Sequence, residues 1–75
     1  MGHGVHVTEL FGIGTKYEIA GSGRHRLAVV VLKDGTRELY AFESGDQQEP
    51  SAVIRLDEDE AKRVAAVLSG TFFSD

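Results

Sequence analysis

The chain contains few residues whose types and spacing could support catalysis. Its densest group of carboxylates is Asp57-Glu58-Asp59-Glu60, directly before an amphipathic segment. Acid–base catalysis requires two groups held in different environments, so a run of neighbouring carboxylates at a helix start does not indicate an active site. Cysteine is absent, which excludes disulfides and thiolate chemistry. With no Ser/His/Asp arrangement evident, we expect no enzymatic activity and no catalytic residues.

Histidine supplies two further candidates, one at the N-terminus and one in the middle of the chain. A free amine with His3 could chelate copper or nickel, with His6 nearby, but a chain end lacks the neighbouring groups that orient metal ligands. We therefore predict no metal site there and treat residues 1–4 as a flexible N-terminus. His25 lies between two arginines on a predicted strand. It is either a pH-responsive group or an ordinary surface histidine.

The segment Gly12-Ile13-Gly14 is the only candidate for a phosphate-binding loop. It lacks the Gly-Lys-Ser/Thr of a P-loop, and it lacks the third glycine and the following helix of a dinucleotide-binding motif. A turn between two strands explains it better, so we expect no nucleotide cofactor. The formal net charge of −4 also argues against a nucleic-acid partner, because phosphate recognition requires a basic face.

Alternating apolar residues and short turns predict one α+β domain over residues 1–75, with a mainly antiparallel sheet of four or five strands. Hydrophobic residues make up 41% of the chain and charged residues 27%, which is typical of a globular protein. No apolar run approaches the roughly 20 residues of a transmembrane helix, and no signal peptide is evident. The predicted strands are Val5–Leu10, Thr15–Ile19, about Arg24 to Lys33, a segment ending at Phe42, and Ala52–Leu56.

A single helix is predicted from Glu58 to Ser69, followed by Gly70 as a natural stop. Asp57 and Glu60 have the spacing of a capping box. After the helix, Phe72 and Phe73 either fold back into the core or lead into a linker. The predicted buried stripe of the helix has the i, i+3, i+4, i+7 spacing and consists of Ala61, Val64, Ala65 and Leu68.

The third and fourth strands form a predicted hairpin whose two faces are both apolar. Asp34-Gly35 between β-forming residues indicates a two-residue type I′ turn, which pairs Val29 with Tyr40. One helix of about 12 residues can cover one face of this sheet. We therefore predict that the other face contacts a second copy or another subunit. The predicted interface is Leu27, Val29, Val31, Tyr40 and Phe42, or alternatively Val30, Leu32 and Leu39; Arg37 and Glu38 are either rim charges of that interface or ordinary strand-end charges.

Four segments, in this order and spacing, resemble the N-terminal domain of the regulatory subunit of bacterial potassium/proton antiporters of the KhtT type. The resemblance covers about Val7 to Gly70. It departs from the family at Phe11, where proline usually follows the leucine. The segments are Leu10–Ile19, Gly23-Arg24, Asp34–Phe42 and Leu56–Ala61.

The resemblance implies a cytoplasmic protein, peripheral to the inner membrane, that controls a membrane antiporter exchanging K⁺ for H⁺. Family members carry a C-terminal RCK-C domain that binds cyclic di-AMP at its dimer interface, and we expect this chain to lack that domain. We therefore carry over no ligand residues and no cofactor. The expected partners are a second copy, the antiporter's membrane subunit and the RCK-C domain. The alternative function is a stand-alone module that binds a small ligand or senses pH.

Overall fold

The computed structural model describes residues 4–21, 23–44 and 46–71. It confirms the predicted α+β fold, a five-stranded antiparallel sheet with one C-terminal helix, and β1, β5 and α1 begin and end at the predicted residues. The strands pair in chain order, β1-β2-β3-β4-β5. The predictions for the first three residues and for Phe72 and Phe73 lie outside the described residues. The elements are β1 (Val5–Leu10), β2 (Gly14–Ala20), β3 (Arg26–Leu32), β4 (Arg37–Phe42), β5 (Ala52–Leu56) and α1 (Glu58–Ser69).

Helix α1 has the capping box that the sequence predicts. The Asp57 carboxylate accepts a hydrogen bond from the Glu60 backbone N–H at 2.7 Å, and the Glu60 carboxylate accepts one from the Asp57 N–H at 3.0 Å. The Gly70 and Thr71 N–H groups donate to carbonyls of the last turn and end the helix. Among the described residues, no helix has the length and apolar composition that crossing a membrane requires.

The hairpin between β3 and β4 differs from the prediction by one residue. The Leu32 N–H donates to the Thr36 carbonyl at 2.8 Å, and the Gly35 N–H donates to the Leu32 carbonyl at 3.0 Å. Lys33, Asp34 and Gly35 therefore form a three-residue loop. Gly35 alone among them has a positive φ, +94°, which fits a type I turn followed by a left-handed glycine.

The predicted type I′ turn was wrong, because that turn requires a positive φ at both central residues and Asp34 does not have one in the structure. In the observed loop, the Asp34 carboxylate accepts a hydrogen bond from the Thr36 N–H at 2.9 Å. Val29 consequently pairs with Leu39 instead of Tyr40. A slip of one residue moves every side chain of β4 to the opposite face of the sheet.

The sheet has two faces of different character. The helix face carries Val29, Val31 and Leu39, which line a groove together with α1. The loop face carries Ala28, Val30 and Phe42, which are 5%, 6% and 9% exposed and are the buried hydrophobic residues of the described chain. The core therefore lies on the face opposite the helix, where the sequence predicted an open interface.

The loop face is covered in part by the β4–β5 loop and by long polar side chains. The Arg26 guanidinium lies 4.0 Å from the centre of the Phe42 ring, and it donates a hydrogen bond to the Gln47 carbonyl at 2.9 Å. Gln48 and Pro50 lie against the same cleft as Phe42. Because aliphatic stems of charged residues cover apolar surface well, this face needs no second helix.

Candidate interaction surface

On the helix face of the sheet, α1 leaves an apolar patch of β1 and β2 uncovered. The patch consists of Val5, Val7 and Ile19, which are 48%, 55% and 36% exposed. Val5 pairs directly with Ile19, so the three side chains lie side by side. Single exposed aliphatic residues are normal on protein surfaces, but a contiguous group on one face indicates an interaction site. We call this group the apolar patch.

A groove of about 340 Å³ runs between α1 and the helix face. Its lower wall is Val29, Val31 and Leu39, and Val64 and Leu68 line its upper side. Val64 is 38% exposed and Leu68 is 81% exposed, although both belong to the stripe predicted to be buried. The helix therefore covers its face of the sheet only partly, and the prediction that the stripe is buried was wrong.

The overall dimensions agree with this loose packing. The radius of gyration of the Cα atoms is 13.2 Å, whereas a compact chain of this length has about 11 Å. The groove and the apolar patch lie on the same face of the sheet. The residues of the groove and of the apolar patch together are called the open surface.

The structure divides the five residues of the predicted interface between the two faces. Leu27, Val29 and Val31 lie on the helix face, whereas Tyr40 and Phe42 lie on the loop face, since they are opposite Ala28 and Arg26. The alternative set is divided in the same way, with Leu39 on the helix face and Val30 and Leu32 on the loop face. The role of these residues at an interface stays a prediction.

Sequence reasoning missed Val5, Val7 and Ile19, although the alternation in β1 and β2 already places them on one face.

The other candidate residues are distributed as follows. His25 lies just before β3 instead of within a strand, is exposed, and places its ring beside Gly21 and Gly23. Arg37 donates a hydrogen bond to the Gly35 carbonyl, which makes it part of the hairpin. In the described ranges, no group of three or more histidines or carboxylates is close enough to bind a metal ion.

Glu38 is the centre of a small polar network on the loop face. The Tyr40 hydroxyl donates to one carboxylate oxygen at 2.8 Å, and the Arg55 guanidinium donates to the other at 2.8 Å. The hydrogen bond from Tyr40 and the hydrogen bond from Arg55 lower the pKa of Glu38, whereas the same bond to Glu38 raises the pKa of Tyr40. The network attaches β5 to β4 at the middle of both strands.

The network predicts a specific dependence of stability on pH. Because the pKa of Glu38 is lower in the folded state than its unfolded value of about 4.5, its contribution is present above pH 4.5 and is lost as the pH falls through the folded pKa. We expect Glu38→Gln to flatten the loss of stability below pH 4.5, as measured by urea unfolding at several pH values. Glu49→Gln, in the exposed β4–β5 loop, is the control and should leave that slope unchanged. Equal slopes in the wild type and Glu38→Gln would contradict the prediction.

The described residues thus form a small α+β domain that presents a partly covered apolar surface and a core of modest size. The chain belongs to the family of N-terminal domains of the K(+)/H(+) antiporter subunit KhtT, whose family model matches residues 3–72, and the resemblance read from the sequence is confirmed.

Two relatives from Bacillus subtilis (strain 168) have similar identity. The chain is 38% identical over 66 residues to "Uncharacterized protein YrvC" and 37% identical over 65 residues to "K(+)/H(+) antiporter subunit KhtT". The matches cover 88% and 87% of this chain, but only 40% and 39% of the two relatives. The chain therefore spans about two fifths of the length of these relatives.

Proposed function

We propose that this domain is a non-catalytic regulatory and assembly domain of a K⁺/H⁺ antiporter. It mediates dimerisation and contacts the membrane subunit of the antiporter or the C-terminal RCK-C domain of the full-length protein. This role locates it in the cytoplasm, held at the inner membrane through the antiporter. The observation that supports the proposal best is the open surface, in a chain that belongs to the KhtT N-terminal family.

The composition of the open surface supports contact with protein. Its groove is lined by aliphatic side chains from β3, β4 and α1, with Arg37 and Lys62 also among its lining residues. Surfaces depleted of charge at the centre and charged at the edge are typical of protein interfaces. The small core gives a second argument, since a domain of this size gains only about 3–5 kcal/mol from its own core and is stabilised further when a partner covers apolar surface.

We favour this role over a stand-alone module that binds a small ligand or senses pH. A ligand site is usually a concave pocket in which a few polar groups converge on the bound molecule. The groove beneath α1 has an aliphatic floor of Val29, Val31 and Leu39, with Arg37 and Lys62 as its charged lining residues, so few polar groups converge on it. His25 is the candidate for a pH-responsive residue. It precedes β3, at the end of that strand far from the Lys33-Asp34-Gly35 loop, and it does not line the groove.

Co-purification with the antiporter's membrane subunit tests the proposal. We expect the tagged wild-type chain to retain the membrane subunit in mild detergent. We expect Ile19→Lys combined with Leu68→Lys to reduce the retained amount at least tenfold, because both side chains belong to the open surface and a buried unpaired charge is costly at an interface. Both positions are exposed, so the variant should keep the fold of the wild type.

The matched control is Val53→Lys, at a side chain that is 52% exposed on the opposite face of the edge strand β5. This control should retain the membrane subunit as the wild type does. Retention that is equal in all three proteins would contradict a contact through the open surface. Failure of the wild type to retain the subunit would contradict the antiporter contact itself. Circular dichroism of each variant verifies that the fold is unchanged.

A further inference from the structure

Strand β1 is an edge of the sheet that has little protection against pairing with another strand. It has six residues, Val5–Leu10, and it contains neither lysine nor proline, the residues that commonly block edge strands. The opposite edge, β5, is shorter and has the exposed Arg55 near its centre, where it forms an ion pair with Glu38 at 2.8 Å. Of the two edges, β1 is therefore the more suitable one for intermolecular pairing.

The backbone of β1 determines which of its residues can pair outward. In an antiparallel ladder, hydrogen-bonded and non-hydrogen-bonded pairs alternate. The Ala20 N–H donates to the Gly4 carbonyl at 2.7 Å, so Gly4 faces β2 and the even-numbered residues of β1 follow the same pattern. Consequently Val5, Val7 and Glu9 direct their N–H and C=O groups to the open edge.

We propose that two copies of this chain pair through β1, antiparallel, about a two-fold axis that passes between their Val7 residues. Val7 of one copy then lies opposite Val7 of the other, and Val5 lies opposite Glu9. By symmetry the pair of Val5 with Glu9 occurs twice, which gives three pairs in all. Each of these residues has outward backbone groups, so the three pairs form about six hydrogen bonds between the two β1 strands, a contact that we call the seam. This proposal rests on the dimerisation role proposed above and assigns the strand that carries it.

The side chains favour a second copy as the occupant of this edge. The register centred on Val7 is symmetric, as an interface between two identical surfaces requires. It places the helix faces of both sheets on the same side, so the two apolar patches (Val5, Val7 and Ile19 of each copy) become contiguous. It also places Glu9 opposite an aliphatic residue, so that no like charges are directly opposed.

The size of the seam sets the expected affinity. One strand from each copy buries less than the about 800 Å² per partner of a standard interface. We therefore expect a dimer that dissociates in the micromolar range or above and that is observed at high protein concentration. Sedimentation equilibrium of the chain over a range of concentrations measures this directly.

Cysteine cross-linking tests the register, because the chain contains no native cysteine. Residues of a hydrogen-bonded antiparallel pair have Cα atoms about 5.5 Å apart, within the range that a disulfide spans. We expect Val7→Cys to form a covalent dimer under mild oxidation, at least tenfold faster than Val53→Cys. The two positions are closely matched, since both lie on edge strands and they are 55% and 52% exposed.

Each outcome bears on a different part of the proposal. Faster cross-linking of Val53→Cys would overturn the assignment and indicate β5 as the seam. A wild-type dimer without preferential cross-linking of Val7→Cys would overturn β1 pairing and leave dimerisation intact. A wild-type chain that stays monomeric at all concentrations would contradict both β1 pairing and the proposed dimerisation role. Val7→Pro provides a second readout. The Val7 N–H points to the seam and not to β2, so proline removes a hydrogen bond of the dimer and none of the sheet within one copy. We expect Val7→Pro to abolish the dimer and Val53→Pro to leave it intact.

Discussion

Replacing Phe42 by alanine is expected to leave most of the domain unfolded at room temperature. Phe42 is 9% exposed and is the largest of the buried hydrophobic side chains among the described residues. Truncating a buried phenylalanine costs about 3–5 kcal/mol, which equals the stability that a core of this size supplies. The substitution also removes the ring beneath the Arg26 guanidinium. Urea unfolding followed by circular dichroism measures the effect.

Phe11→Ala is the matched control for this prediction. Phe11 is 96% exposed in the β1–β2 turn, so the same chemical change should alter the free energy of unfolding by no more than about 0.5 kcal/mol. Similar unfolding midpoints for the two variants would mean that the loop face does not contain the core. The comparison therefore tests the location of the core independently of any interface.

Replacing Gly14 by alanine is expected to destabilise the domain by about 3 kcal/mol, the upper end of the usual cost of overpacking. Gly14 is buried at the start of β2, between Leu10 of β1 and Leu32 of β3. A Cβ at this position would overlap the carbonyl oxygen of Val31 and approach the Cα of Leu32. Both obstacles are backbone atoms, so β2 and β3 would have to separate. Thermal unfolding of the variant and the dispersion of its amide NMR signals measure the effect.

Gly23→Ala is the control, because a Cβ there would meet only the His25 side chain at 3.4 Å. Gly23 is not among the glycines with a positive φ, and we expect this variant to be as stable as the wild type or up to about 1 kcal/mol more stable, since alanine restricts the unfolded chain. Equal destabilisation of the two variants would contradict the close approach of β2 and β3 at Gly14.

Much of the fold follows from local patterns in the sequence. The bounds of β1, β5 and α1 are predicted to the residue, because each is delimited by residues with clear local preferences, such as the Asp57 capping box and Gly70. Strands β2 and β3 differ from their predicted bounds by one or two residues at their ends, where strand pairing decides the last residue. The family follows from the order and spacing of several short segments.

The candidate site was less accessible to sequence reasoning. The predicted interface came from one hairpin, and its residues lie on two faces because the turn has three residues instead of two. The exposed residues of the open surface include Val5, Val7 and Ile19, which belong to β1 and β2 and lie outside that hairpin. Their shared exposure is visible only when all five strands are placed in one sheet.

The sequence by itself determined the strands, the helix, the absence of thiol chemistry and the family, since each depends on residue types over short stretches. The tertiary structure alone decided which face of the sheet carries the buried residues Ala28, Val30 and Phe42. Two interactions made that decision, the Thr36 N–H bond to Asp34 that accompanies the three-residue turn and the Arg26 contact with Gln47, 21 residues away. A one-residue difference in a turn exchanges the faces of a strand, and a contact between distant residues leaves no local pattern in the sequence.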